Sequence, residues 1–141
     1  MRLAALRDAP YAFGATWEDE RHRTEEQWRT SVVARTRYVA ESDGQAIGMA
    51  SVGEAGVSRA ASVTSFWVHP SVRGKGVADA LLLAVIDWAK QKGDNQLMLW
   101  VTEGNTRAEK LYERYGFRRT GATQRIRAGE ERLEFEMSVR L

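Results

Sequence analysis

Two strand-like runs, 61–68 and the nearly continuous apolar 96–102, flank a stretch in which Val77, Leu81, Ala84, Val85 and Trp88 recur at helical spacing while Leu82, Leu83 and Ile86 widen the stripe. A strand, a long helix and a nearly continuous apolar strand in succession predict a right-handed crossover with parallel pairing, because parallel neighbours need a connection that carries the chain back across the sheet. The helix should be buried on most sides and stop at Gly93.

The remaining elements arrange themselves around this unit. Residues 3–9 read as the end of a helix stopped by Pro10, and an aromatic, acidic stretch with Tyr11, Phe13, Trp17, Glu18, Asp19 and Glu20 follows. Thr24 with Gln27 three residues later forms a capping-box signature, and Trp28, Val32 and Val33 give the helix an apolar stripe up to about Ala34. Runs at 38–41 and 45–52 flank Ser42-Asp43-Gly44, which is hairpin chemistry, and a loop over 53–60 leads to the third strand. Asn105 caps a short helix whose Ala108, Leu111, Tyr112 and Tyr115 share a face, with Gly116 as terminator. The remainder is β, and in the last strand Leu133, Phe135, Met137, Val139 and Leu141 alternate with polar residues, so one face is packed and one wet. Trp67, Trp88 and Trp100 are expected in the core, with Tyr115 and Phe117 as anchors.

Composition narrows the function classes. A chain of 141 residues, 43% hydrophobic and 28% charged, with no linker, repeat or low-complexity segment, predicts a single domain over 1–141. Its 21 basic and 19 acidic side chains nearly cancel, so nucleic acid is not an expected partner. The absence of cysteine excludes disulfides, a thiolate nucleophile and cysteine-ligated metal. Residues 1–10 contain Arg2, Arg7 and Asp8 without the apolar run of a signal peptide, and nowhere do 18 apolar residues follow one another, so the expected location is the cytoplasm, away from any membrane. His22 and His69 lack ligand-like partners and read as surface histidines, with no metal expected.

Chemistry concentrates where the third strand ends. From Val68 through His69, Pro70, Ser71, Val72, Arg73, Gly74, Lys75, Gly76, Val77 and Ala78 a strand gives way to a Gly-rich turn that opens the long helix. Glycines let the backbone approach closely, and unpaired N–H groups at a helix start favour an anion such as a pyrophosphate. Plain loop-to-helix punctuation produces the same pattern. The turn is neither a P-loop nor a dinucleotide fingerprint, since the required Lys-Ser/Thr and third glycine are missing.

Taken with the segment from Asn105 to Phe117 one strand later, this turn resembles the GNAT superfamily of acyl-CoA-dependent N-acetyltransferases. Arg73-Gly74-Lys75-Gly76-Val77-Ala78 matches that family's pyrophosphate loop, Asn105 to Phe117 matches its Asn-x-x-Ala-x-x-Leu-Tyr-x-x-x-Gly-Phe segment, and the run from Pro10 to Thr16 is similar to the segment after the first helix in many bacterial members. The resemblance implies a mixed α/β fold with a mostly antiparallel sheet, a central parallel pair and helices on both faces. It implies acetyl-CoA as co-substrate, bound by Trp67, Val68, the loop from Arg73 through Gly74, Lys75, Gly76 and Val77 to Ala78, and Asn105, Ala108 and Tyr112. The acetyl group would pass by direct attack in a ternary complex to a primary amine of a small molecule, a protein N-terminus or a lysine. A non-catalytic acyl-CoA sensor is the alternative.

The resemblance also implies roles. The Val68 N–H faces the thioester carbonyl, and Tyr112 donates to the departing thiolate. With tyrosine near pKa 10 and a thiol near 8.5, full proton transfer is uphill by about 2 kcal/mol, so hydrogen-bond stabilisation is expected. Glu103 and Glu54, each after a strand, are candidates for the general base, against the plainer reading of solvated surface carboxylates. Trp17 and Glu18 are candidates for lining the acceptor site, against simple packing. The need for a base depends on the acceptor: at neutral pH a lysine amine loses its proton at a cost of about 4 to 5 kcal/mol, an α-amine at about 1 kcal/mol. The family begins with a strand before its first helix and this sequence begins inside that helix. A longer parent chain, a second chain completing the sheet as in a homodimer, or an exposed edge at the hairpin near Tyr38 would each account for it.

Overall fold

A computed structural model describes residues 1–56 and 59–141, except for the side chains of Val32 and Val33. The loop expected over 53–60 includes Val57 and Ser58, and these lie outside the described residues, as do the Val32 and Val33 side chains of the expected stripe.

The elements are α1 (Arg2–Asp8), α2 (Trp17–Glu20), α3 (Glu25–Val33), β1 (Thr36–Ser42), β2 (Gln45–Glu54), β3 (Ala60–Val68), a 3-10 turn (Pro70–Val72), α4 (Val77–Gln91), β4 (Gln96–Thr102), α5 (Thr106–Arg114), β5 (Arg118–Arg125) and β6 (Leu133–Arg140). Six strands form one sheet in the order β1-β2-β3-β4-β6-β5. Every neighbouring pair is antiparallel except β3 and β4, so the predicted crossover through α4 is present. β1 is the edge of the sheet on its side.

Local chemistry explains the connections. Asp43 and Gly44 both carry positive φ, 51° and 77°, as a two-residue hairpin requires to match strand twist. Thr24 and Gln27 form the capping box expected for α3, and Thr16 with Asp19 forms a second one that starts α2. The one-turn α2 falls in the stretch that sequence periodicity left without an element.

Two clusters cover the two faces of the sheet. On one face Ala50, Val52, Val63, Leu97, Leu99, Val101, Phe135 and Met137 meet Leu81, Leu82, Val85 and Ile86 of α4 and Leu111 and Tyr112 of α5. On the other, Met49 and Trp67 meet Ala5 and Leu6 of α1 and Phe13. α4 buries one side only: Leu83 is 47% exposed, because α4 has the sheet on one side and solvent on the other. Trp88 is half-buried against the core and Trp100 is 37% exposed, so of the three tryptophans expected in the core only Trp67 is fully enclosed. Leu133, at the start of β6, is also exposed. No helix among the described residues is long and apolar enough to cross a membrane.

Candidate active site

A bulge in β3 creates the site. Met49 of β2 pairs with Trp67 and Ser51 pairs with Thr64, so Ser65 and Phe66 together oppose the single residue Ala50. Ser65 takes the extra length in a left-handed conformation, φ 52°. β3 and β4 are in register only from Ala60↔Gln96 to Ser62↔Met98, and past that point the strands part. The gap opens into a cavity of about 950 Å³. Its lining includes Val63 to Val68 on one strand, Leu99 to Thr102 on the other, Ala108, Leu111 and Tyr112 of α5, and Tyr11 and Phe13 of the N-terminal segment. The cavity therefore reaches both faces of the sheet.

At the end of β3 the backbone presents unused groups. The His69 N–H donates to the Ile47 carbonyl at 2.7 Å, which makes Gly48↔Val68 the adjacent non-hydrogen-bonded pair of the ladder. The Val68 N–H and C=O consequently point away from β2, toward the gap. The carbonyl is taken by Arg73 Nε at 3.0 Å. Arg73 also forms an ion pair with Asp8, which accepts from Trp67 Nε1 at 3.0 Å. Partial burial works against the Asp8 charge, yet the hydrogen bonds from Trp67 and Arg73 hold its carboxyl below the ordinary value. This triangle ties α1, the end of β3 and the glycine turn together.

The turn suits an anion. Gly74 and Gly76 have φ 78° and 85°, and Gly76 is the N-cap of α4 with no side chain capping the helix. The first N–H groups of a helix so ended need a partner, and the helix dipole favours a negative one. The guanidinium of Arg107, from the first turn of α5, sits beside the turn: a Cβ on Gly74 would lie 3.3 Å from Arg107 Nη2. Arg73, Arg107 and Arg114 line this end of the cavity with Asp79, whose Oδ1 accepts from Tyr115 Oη at 2.9 Å and Arg114 Nη2 at 3.0 Å.

Tyr112 is 6% exposed, lines the cavity and packs edge-on against Phe66, with ring centroids 5.9 Å apart, and against Phe117 at 5.8 Å. Burial pushes its hydroxyl well above the usual tyrosine range, so it is a donor and not a proton source at neutral pH. Asn105 lines the cavity while its Oδ1 accepts from the Ala108 N–H at 3.3 Å, the cap expected for α5.

On the opposite face the mouth is built by β4, β6 and the segment from Ala9 to Gly14. Thr102 Oγ1 donates to the Tyr11 carbonyl, Arg127 Nη1 donates to the carbonyls of Pro10 and Phe13 at 3.2 and 3.0 Å, and Arg132 lies over the Tyr11 ring at 4.1 Å. Glu103, Arg132, Glu134 and the half-exposed Trp100 line this mouth.

The expected residues divide accordingly. Trp67, Val68, Arg73, Gly74, Gly76, Ala78, Asn105, Ala108, Tyr112 and Glu103 line one cavity. Lys75 and Val77 stand in the same turn outside that lining, Lys75 exposed and Val77 half-buried. Glu54 lies outside it, in an ion pair with Lys92 at 2.8 Å, at the end of the sheet where β3 and β4 are still joined. Trp17 packs between the guanidinium groups of Arg7 and Arg21, and Glu18 pairs with Arg21, both outside the lining. His69 Nδ1 accepts from the Ser71 N–H and caps the 3-10 turn. Sequence reading missed Arg107, Trp100 and Glu134. Alternation in the last strand places Glu134 on its polar face, and the signal carries no more than that.

The arrangement defines a class: a mixed sheet that splits between its two parallel strands, with a glycine turn and an uncapped helix start at the split. A family model described as the Acetyltransferase (GNAT) family matches residues 3–117, and the chain belongs to that family. The mycothiol acetyltransferase of Thermobispora bispora is 32% identical over 124 residues, 84% of this chain and 41% of that protein. That of Renibacterium salmoninarum is 44% identical over 55 residues, 39% of this chain and 16% of that protein. The chain thus spans less than half the length of either. Among solved structures, a GCN5-related N-acetyltransferase from Kribbella flavida superposes with TM-score 0.74 at 29% identity, over 99% of this chain and 89% of that one. A chain from Bacillus anthracis, solved in complex with acetyl coenzyme A, shares the fold at TM-score 0.67 and 21% identity, over 76% of this chain and 62% of that one.

Proposed function

We propose that this chain transfers the acetyl group of acetyl-CoA to a primary amine of a small molecule, a protein N-terminus or a lysine, by direct attack with both substrates bound. The observation that carries this is the gap between β3 and β4, open to both faces and bordered by the outward-facing Val68 amide, the uncapped start of α4 and Tyr112.

The coenzyme supplies an activated acetyl thioester; the rest is work for side chains and backbone. The turn from Arg73 to Ala78 would hold the pyrophosphate through helix-start N–H groups, with Arg107 neutralising charge beside it. Trp67 and Val68 would pair with the pantetheine arm, and Asn105 and Ala108 would flank it. The Val68 N–H, free of β2, would donate to the carbonyl oxygen as it gains charge. Tyr112, with its proton held by burial, would donate a hydrogen bond to the leaving sulfur and keep its proton. Glu103 at the opposite mouth would draw in the ammonium form of the acceptor. Trp17, Glu18 and Glu54 lie outside the cavity lining, engaged by Arg7 and Arg21, by Arg21 and by Lys92, and take no part in the proposed transfer.

Titration calorimetry with acetyl-CoA, dephospho-CoA and ATP tests the groove, and thiol release in the presence of amines tests the chemistry. One-site binding that prefers acetyl-CoA to ATP, with amine-dependent thiol release, is expected. A folded chain that binds none of the three overturns the proposal.

A further inference from the structure

Glu134 sits at the acceptor mouth without a cation. It stands in β6 opposite Thr102 of β4 and Gln124 of β5, on the face that Phe135 and Met137 do not use. Half-buried, it lines the cavity, and its Oε1 accepts from Gln124 Nε2 at 2.7 Å. Among the described residues no Lys or Arg lies within ion-pair distance of it, whereas Glu54 is paired with Lys92. The strands beside it present uncharged partners, Thr102 and Gln124. Among the charged groups that line the cavity with it are Arg132, immediately before β6, Glu103 after β4 and Arg2 from α1, and Glu136 stands two residues along its own strand. Burial raises its carboxyl above the ordinary value, with the Gln124 hydrogen bond acting the other way.

We infer that Glu134 is the general base that deprotonates the acceptor amine, which arrives as an ammonium ion. The inference rests on the proposed acetyl transfer. The Glu134 carboxylate accepts an N–H of the ammonium and takes its proton, which frees the nitrogen lone pair to form the N–C bond to the thioester carbonyl. The carbon–sulfur bond then breaks with its electron pair on sulfur beside Tyr112. Nitrogen sheds its second proton, the thiolate gains one from solvent, and Glu134 returns its own to solvent. Ammonium ion and thioester thus become amide, thiol and one released proton.

The test compares wild type, Glu134→Gln, Glu134→Asp and Glu103→Gln in thiol-release assays. The acceptors are an alanyl peptide, Nα-acetyl-lysine amide and glucosamine, with hydroxylamine as an acceptor already unprotonated at neutral pH. Glu134→Gln is expected to bind acetyl-CoA as wild type does and to lose about 10²- to 10⁴-fold in kcat on the aliphatic amines, the usual range for a positioned base. Much less should be lost with hydroxylamine, and the defect should shrink as pH rises toward the amine's own pKa. Glu134→Asp should fall between the two and keep the acid limb of the pH profile, and Glu103→Gln should change KM more than kcat. A Glu134→Gln enzyme within twofold of wild type on the amines, or equally impaired with hydroxylamine, overturns the role of Glu134 and leaves the acetyl transfer standing. A wild-type chain that binds acetyl-CoA and releases thiol with none of the acceptors overturns both.

Discussion

At the residue scale the site depends on where single charges and hydroxyls are held. Tyr112→Phe removes one donor and keeps the packing against Phe66 and Phe117. A hydrogen bond to a charged group contributes about 1.5–3 kcal/mol, so kcat should fall about 10- to 100-fold with acetyl-CoA affinity nearly unchanged by calorimetry. Turnover equal to wild type at saturating substrate would remove the role. Asp8 carries a different kind of prediction. Partial burial opposes its charge, but the hydrogen bonds from Trp67 and Arg73 hold its carboxyl below the ordinary value in the folded chain, so its stabilising contribution is present above the unfolded value and fades as pH falls through the folded one. Asp8→Asn should therefore lower the urea midpoint at pH 7, and the gap to wild type should narrow as the pH falls below the ordinary carboxylate value. A gap that stays the same size across that fall would mean that packing, not charge, is what Asp8 supplies.

At the scale of elements, Ser65 is the residue on which the split rests. Its φ of 52° is strained for a side chain branched at Cβ, so Ser65→Val should cost about 1–2 kcal/mol in urea denaturation and weaken acetyl-CoA binding, while Ser65→Gly should keep the binding. Equal binding by both variants would show that the split does not depend on this bulge. The same residue marks where sequence reading stops. The crossover, the hairpin turn, the caps of α3 and α5 and the two motifs that carry the family resemblance were legible because each is written in neighbouring residues. A bulge is a mismatch between two strands, and nothing within 61–68 announces it. Trp100 was misplaced for a related reason: its run is apolar throughout, but beyond Met98 the strand faces a gap where regular pairing would have covered it. Glu134 was hidden by the rule that polar alternation means water, which holds only where no cavity lies against the polar face.

At the scale of the whole molecule, the sheet is two three-stranded halves joined by three registered residue pairs, Ala60 to Ser62 with Gln96 to Met98, and by α4, which packs on β1, β2, β3 and β4. Leu82 of α4 is wholly buried in the core that both halves share. Leu82→Ala should cost about 2–5 kcal/mol and leave a single unfolding transition, since both halves lose the same support. Two separate transitions would show that the halves fold independently. The passage through the sheet has one further consequence. On the proposed function, its donor end relies on backbone N–H groups of the glycine turn and of Val68, whose hydrogen bonds survive most changes of side chain, and its acceptor end on side chains from a short N-terminal segment, β4 and β6. On that reading the two ends would drift apart in evolution at different speeds, and a lineage would exchange one acceptor for another without relearning how to hold its acetyl donor.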